Sequence, residues 1–110
     1  MIHPTVPAAC AYIWTYKVKP ERRGEFEKAY GAKGVWADFF SKSSGYIRTD
    51  LLIDSQDPNR FSTIDYFKDR ISRPALVKEF ADEFATIDKC WEEATLEESF
   101  VGEFILAGEH

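Results

Sequence analysis

Residues 57–67 read Asp57-Pro58-Asn59-Arg60-Phe61-Ser62-Thr63-Ile64-Asp65-Tyr66-Phe67. The Asp-Pro-Asn opening is typical of a turn, because proline fixes its own φ and Asp and Asn side chains bond to nearby backbone. The residues that follow are rich in β-branched and aromatic types, which predicts a strand over 61–67. With a side-chain period of two, one face of that strand carries Phe61, Thr63, Asp65 and Phe67. A carboxylate therefore stands on the same face as two phenylalanines.

The segment before this turn predicts the partner of that strand. Residues 46–53 are rich in β-formers, and residues 54–59, which separate them from the next strand, are mostly turn formers. Two strands joined by so short a connection predict an antiparallel hairpin.

Upstream of the hairpin, the pattern predicts a strand and a broken helix. Residues 11–18 are dense in β-formers. Pro20 suits the first turn of a helix, and Gly31 and Gly34 divide the helical pattern that follows into two pieces.

Downstream of the hairpin, Ser72 and Pro74 open the longest periodic segment of the chain. Its apolar residues recur at steps of three and four, which is typical of one face of a helix. They are Val77, Phe80, Phe84, Ile87, Trp91 and Ala94. Residues 95–98, Thr-Leu-Glu-Glu, match a helix capping box, and residues 99–106 predict a short final strand.

The predicted order is β-α-β-β-α-β, which favours an α+β ferredoxin-like sandwich with a four-stranded antiparallel sheet and helices on one face. We assign residues 11–106 to this single domain and residues 1–10, with two prolines, to a loose N-terminal arm. Both faces of the first two strands are largely apolar. Since helices cover only one face, we expect a second copy to cover the other, in a homodimer through the sheet face.

Composition excludes several classes of protein. A net charge of -5 argues against a nucleic-acid binder, and no apolar run approaches the roughly 20 residues that span a bilayer. Cys10 and Cys90 match no zinc spacing, and the N-terminus lacks the pattern of a secretory signal. We therefore expect a cytoplasmic protein with no metal site and no membrane or nucleic-acid partner.

Several segments resemble the antibiotic biosynthesis monooxygenase family. They are residues 30–40, 44–52 and 60–67, with later matches at 83–90 and at Glu98 and Gly102. The likeness extends over roughly residues 11–105. It implies a dimeric α+β barrel with a pocket between sheet and helices in each subunit. Members of the family oxidise polycyclic phenols or quinols with dioxygen and no cofactor, and others degrade haem.

The resemblance also places the pocket. It implies that the face of the third strand bearing Phe67 lines it, although the family commonly has tryptophan there. We expect the pocket to be lined by Trp36, Phe40, Thr63, Phe67, Phe80 and Phe84. Haem degradation is disfavoured, because the only histidines, His3 and His110, lie at the ends of the chain.

Asp65 is the candidate catalytic residue, because a carboxylate in an apolar pocket has a raised pKa and can accept a phenolic proton. The structural alternative is that Asp65 pairs with Arg48 or Arg70, or accepts a backbone or tyrosine hydrogen bond. Trp14 and Tyr16 would line either face of the sheet. Two functions stay open: a cofactor-independent monooxygenase acting on an aromatic phenol or quinol, and a non-catalytic homodimer that binds a small aromatic ligand.

Overall fold

The structure is a computed structural model that describes residues 9–107. Its strands are β1 (Cys10–Val18), β2 (Tyr46–Ile53), β3 (Arg60–Phe67) and β4 (Thr95–Ile105). Its α-helices are α1 (Arg23–Tyr30), α2 (Val35–Phe40), α3 (Ser72–Glu79) and α4 (Ala81–Trp91). Single 3-10 turns precede α1 and follow α4. No helix within residues 9–107 is long and apolar enough to cross a membrane.

The four strands form one antiparallel sheet in the order β2-β3-β1-β4. This order and the positions of the helices confirm the predicted ferredoxin-like α+β sandwich. The turn before β3 forms as predicted, with the backbone N–H of Asn59 donating to the Asp57 carboxylate at 2.9 Å. The broken first helix is confirmed as well, since α1 and α2 are separated at residues 31–34.

The period of two along β3 directs four side chains inward: Phe61, Thr63, Asp65 and Phe67, all buried. Because β3 pairs with both β1 and β2, these side chains lie in the middle of the sheet. Aromatic rings from α1 and α2 pack over them, with Phe26 stacked on Tyr30 at 4.0 Å between ring centroids. The core is thus a layer of rings between sheet and helices.

The second helical segment differs from the prediction. It is two helices rather than one, because Phe80 adopts φ -114° and ψ 42° between α3 and α4. The hydrogen bonds from Phe80 N–H to Leu76 and from Phe84 N–H to Phe80 continue across the break, so the periodic pattern gave no sign of it. After the break, the apolar side of α4, including Ile87 and Trp91, packs partly buried against the core.

The boundaries of the last strand and the first strand also differ. The predicted capping box at residues 95–98 is wrong, since Thr95 begins β4, which is three residues longer than residues 99–106 suggest. β1 begins at Cys10, whose backbone pairs with Phe67 and Ile105, so Cys10 belongs to the sheet and not to an arm. The rest of the predicted arm, up to residue 8, lies outside the described residues.

The sheet face opposite the helices is partly apolar. Ile13 and Ile64 lie side by side on adjacent strands there, and Leu52 and Phe104 are half exposed at its margins. Such a face is more apolar than the solvent-facing side of a one-layer sheet usually is.

The connection between α1 and α2 predicts one sharp difference between two glycines. A methyl group on Gly34 would overlap the backbone carbonyls of Lys28 and Ala29, whereas one on Gly24, within α1, would meet nothing within 4 Å. We expect Gly34→Ala to lower the free energy of unfolding by about 1–3 kcal/mol. Gly24→Ala should leave it unchanged or raise it by up to about 1 kcal/mol. Urea denaturation of both variants measures this, and equal effects would contradict the described packing.

Candidate functional site

A cavity of about 210 Å³ lies between the inner face of the sheet and the helices. Its apolar wall consists of Trp14, Trp36, Phe40 and Phe84. Its polar groups are Tyr16, Tyr30, Thr49, Thr63, Asp65, Arg73, Asp88 and Glu98. The cavity is larger than the roughly 150 Å³ that accommodates benzene in an engineered protein core. It therefore has room for an aromatic ring system.

Five of the residues expected at the pocket lie on the wall of this cavity: Trp36, Phe40, Thr63, Asp65 and Phe84. Phe67 does not, because its fully buried ring packs behind the wall against Tyr12, Phe40 and Tyr46. Phe80 does not either, since the break between α3 and α4 places its ring beside Phe39 and beneath the Lys42 ammonium group.

Sequence reasoning missed most of the polar lining. Trp14 and Tyr16, whose side of the sheet was left open, both face the cavity. The alternation of β1 favoured one face for both residues, but it did not show which face the helices cover. Thr49 could have been found from strand register, since it lies opposite Asp65. Arg73, at the start of α3, carries no signal of its own in the sequence.

Asp65 is the buried carboxylate of the cavity, with 5% of its surface exposed. Its Oδ1 accepts a hydrogen bond of 2.6 Å from the Thr49 hydroxyl. Its Oδ2 has no hydrogen-bond partner within residues 9–107, and this atom keeps a small accessible surface. Burial raises the pKa of Asp65 from its ordinary 3.8 to about 6, and the Thr49 hydroxyl and the Arg73 charge offset part of that rise. At neutral pH the carboxylate is ionised and poised to accept a proton.

The expected arginine partners of Asp65 lie elsewhere. Arg48 donates to Asp50 at 3.2 Å and its guanidinium covers the Tyr66 ring, while Arg70 pairs with Glu103 at 3.3 Å. β2 carries Arg48 one position from Thr49, so the two side chains project to opposite faces of the sheet. The protein donor to Asp65 is thus a threonine hydroxyl rather than an arginine or a tyrosine.

Arg73 is the cation of the cavity lining. Its guanidinium carbon lies 5.0 Å from the centroid of the Tyr12 ring and 5.5 Å from that of Phe40, so it is held by cation–π contacts. Within the described residues it forms no ion pair with Asp65. Its positive charge therefore acts on the cavity at a distance, and it lowers the energy of an anion bound there.

Part of the cavity lining is acidic. Asp88 of α4 and Glu98 of β4 lie near each other, and neither forms an ion pair within residues 9–107. Burial and the Asp88 charge raise the pKa of Glu98. Burial raises the pKa of Tyr30 to about 12, offset in part by the nearby Trp36 N–H, which is close but outside hydrogen-bonding geometry. The pKa of Tyr16 is also raised by burial, so both phenols stay protonated.

The arrangement suits a flat, neutral aromatic molecule with an acidic hydroxyl group. Aromatic rings provide stacking surfaces, and the Asp65 carboxylate provides a proton acceptor. Within the described part of the chain no group of three or more His, Cys, Asp or Glu side chains is placed to hold a metal ion.

Comparison with solved structures shows what the chain is similar to. SnoaB, a cofactor-independent oxygenase from Streptomyces nogalater, superposes in a mutant form with a TM-score of 0.76 at 16% identity, over 94% of this chain and 97% of that one. A protein from Nitrosomonas europaea, described as an antibiotic biosynthesis monooxygenase by inference, superposes with a TM-score of 0.68 at 18% identity, over 91% of this chain and 92% of that one. A protein from Bordetella bronchiseptica with the same description superposes with a TM-score of 0.68 at 17% identity, over 92% of this chain and 99% of that one.

No family model matches the sequence, and none of the curated proteins matches it. The similarity is thus one of structure. At these identities it shows the fold, which is that of the antibiotic biosynthesis monooxygenases.

The raised pKa of Asp65 predicts a pH-dependent effect on stability. Because the folded state holds this proton more tightly than the unfolded state, wild-type stability falls as pH rises from about 4 to about 6. The Asp65→Asn variant has no proton to release, so it does not lose stability in this way, and its side-chain oxygen can still accept the hydrogen bond from Thr49. Its unfolding free energy relative to wild type should therefore grow by up to about 3 kcal/mol between pH 3 and pH 7.

Urea denaturation across that pH range measures the difference, with Asp82→Asn, at an exposed position of α4, as the control. An Asp65→Asn variant that loses stability relative to wild type as pH rises would contradict the buried, ionisable Asp65.

Proposed function

We propose that this chain, which has the fold of the antibiotic biosynthesis monooxygenases, is a cofactor-independent oxygenase acting on a fused-ring phenol or quinol. The observation that carries the proposal is the position of Asp65 on the wall of an aromatic cavity, with no hydrogen-bond partner for its Oδ2 among residues 9–107. The fold it shares with SnoaB supports the reaction class, since that protein is a cofactor-independent oxygenase. Asp65 is the general base in this proposal.

The reaction needs only the substrate and dioxygen. For a substrate whose reacting ring carbon is a CH2 group in its keto form, Asp65 removes one of the two protons and leaves a resonance-stabilised anion. One electron passes from the anion to dioxygen, and the two radicals combine in a carbon–oxygen bond. Asp65 returns its proton to the peroxide. Loss of the second carbon-bound hydrogen and cleavage of the O–O bond give a quinone carbonyl and one molecule of water, so CH2 plus O2 becomes C=O plus H2O.

The cavity contributes what the anion needs. Aromatic walls hold the ring system flat and keep water away from the anion, and the Arg73 charge stabilises it. The acidic part of the lining near Asp88 and Glu98 disfavours substrates that carry a carboxylate there. We therefore expect neutral or amino-substituted ring systems to bind better than acidic ones.

The second candidate function is non-catalytic binding of a small aromatic ligand by the same cavity. It is favoured by one observation: the ring at position 67 lies behind the cavity wall, where it contributes no donor to a ligand. Binding and catalysis make the same demands on the aromatic walls. They differ in what they require of Asp65.

The assembly we propose is a homodimer through the outer face of the sheet. Its support is the apolar character of that face, where Ile13, Ile64 and Leu52 lie on adjacent strands. A two-fold pair of sheets, packed face to face, would bury these side chains.

Oxygen uptake with a panel of anthrones and naphthoquinols tests the catalytic proposal. We expect wild-type kcat/KM to rise with pH around a midpoint near 6, following ionisation of Asp65. Asp65→Asn should lose about 100-fold or more of that rate, since it removes a general base, while Asp82→Asn, at an exposed position of α4, should keep it. Absence of uptake with a folded protein that still binds these ligands would contradict catalysis and favour the binding function.

Light scattering coupled to size exclusion tests the dimer. The wild type should elute at twice the chain mass. Leu52→Glu, at a position 49% exposed on the outer face, should shift it toward the monomer, since the change buries a charge in the interface. Ile71→Glu, 75% exposed before α3, is the matched control and should leave the mass unchanged. A monomeric wild type would contradict this assembly.

A further inference from the structure

We propose that Thr49 and Tyr46 are positioning residues that confine proton exchange by Asp65 to its cavity-facing oxygen. This inference rests on the proposed role of Asp65 as a base. It concerns a hydrogen-bonded chain of three side chains in which neither Thr49 nor Tyr46 has to touch the reacting atoms.

The chain is set by strand register. Thr49 of β2 lies directly opposite Asp65 of β3, so their side chains share the inner face of the sheet. The Thr49 hydroxyl lies 2.6 Å from Asp65 Oδ1, and the Tyr46 hydroxyl lies 2.8 Å from the Thr49 oxygen. Thr49 is fully buried, and Tyr46, at the start of β2, is partly buried against Phe40 and Phe67.

The direction of each hydrogen bond follows from counting protons. A threonine hydroxyl has one proton, and an ionised carboxylate can only accept, so Thr49 donates to Asp65. Its oxygen then has only lone pairs left, so the Tyr46 hydroxyl must donate to it. Tyr46 thereby keeps the Thr49 proton from turning toward the Tyr46 oxygen. Both bonds run in one direction, from Tyr46 through Thr49 to Asp65.

The consequence is an asymmetric carboxylate. Oδ1 already accepts a hydrogen bond, and a proton placed there would weaken the bond from Thr49. Oδ2 has no partner within residues 9–107 and Asp65 lines the cavity, so we infer that the incoming proton binds Oδ2 from the cavity. Outside this hydrogen-bonded chain, the ionisable groups near the carboxylate include Tyr12, directly opposite Asp65 on β1, Tyr16 of the same strand and Arg73 of α3. Burial raises the pKa of both tyrosines, so they stay protonated, and the charged Arg73 guanidinium has no site that accepts a proton, so none of the three takes the proton in place of Asp65.

This asymmetry fits the stoichiometry of the proposed reaction. The conversion of CH2 and O2 into C=O and H2O releases no net proton. A base that takes a proton must therefore give one back within the cavity. A carboxylate that binds its proton on Oδ2 keeps that proton beside the peroxide that needs it.

The first experiment does not depend on turnover. The carboxyl carbon of Asp65 is followed by 13C NMR during a pH titration of the full chain. Thr49→Val removes the donor with little change of volume and should raise the midpoint by about one unit, because a hydrogen bond to the charged form is lost. Tyr46→Phe should raise it by less, and Thr49→Ser should restore the wild-type value. Thr86→Val, at an exposed position of α4 away from the sheet, is the matched control and should leave the midpoint unchanged.

The second readout is kinetic. Thr49→Val should move the midpoint of the pH profile of oxygen uptake to higher pH, in step with its NMR midpoint. It should also lower kcat about tenfold with little change in KM. Thr49→Ser should restore both the pH profile and kcat. Unchanged midpoints in Thr49→Val and Tyr46→Phe would overturn the inference whether or not the protein turns over. Shifted and rescued midpoints without oxygen uptake would uphold the chain of hydrogen bonds and contradict only the proposed function.

Discussion

The layer of aromatic rings between sheet and helices is the constraint on which the rest of the structure depends. Rings from α1, α2 and α4 pack in edge-to-face and stacked pairs over the inner face of β1 and β3. The cavity lies within this layer, and four of its aromatic side chains, Trp14, Trp36, Phe40 and Phe84, form the apolar wall. The layer also buries one carboxylate, that of Asp65. The fold and the properties of the site therefore have the same origin.

The low polarity of that layer determines how Asp65 behaves. Desolvation disfavours its charge, while one hydroxyl donor and one distant guanidinium favour it. Removing the layer would return the carboxylate to ordinary acidity, and replacing Thr49 by a direct arginine partner would make it a weaker base. The observed combination leaves it ionised near neutrality but basic enough to accept a proton. A carboxylate so placed destabilises the fold, which is a common property of functional sites.

The sequence predicted the fold well because its strands and turns are encoded locally. The alternation of residues 61–67 placed Asp65 on one face with Phe61, Thr63 and Phe67, and the resemblance to a known family implied that this face is the inner one. The helix break at Phe80 was missed because the helical hydrogen bonds continue across it. The same break places the Phe80 ring away from the cavity. Thr49 and Arg73 were missed because their proximity to Asp65 depends on strand register and on the start of α3, which periodicity does not report.

The most direct test of the account is the titration of the Asp65 carboxyl in the unmodified protein, followed by 13C NMR. A carboxylate enclosed by the aromatic layer, with Thr49 as its donor, should titrate with a midpoint near pH 6. A midpoint at the ordinary value near 3.8 would show that Asp65 is hydrated or paired, and that the cavity does not hold a base.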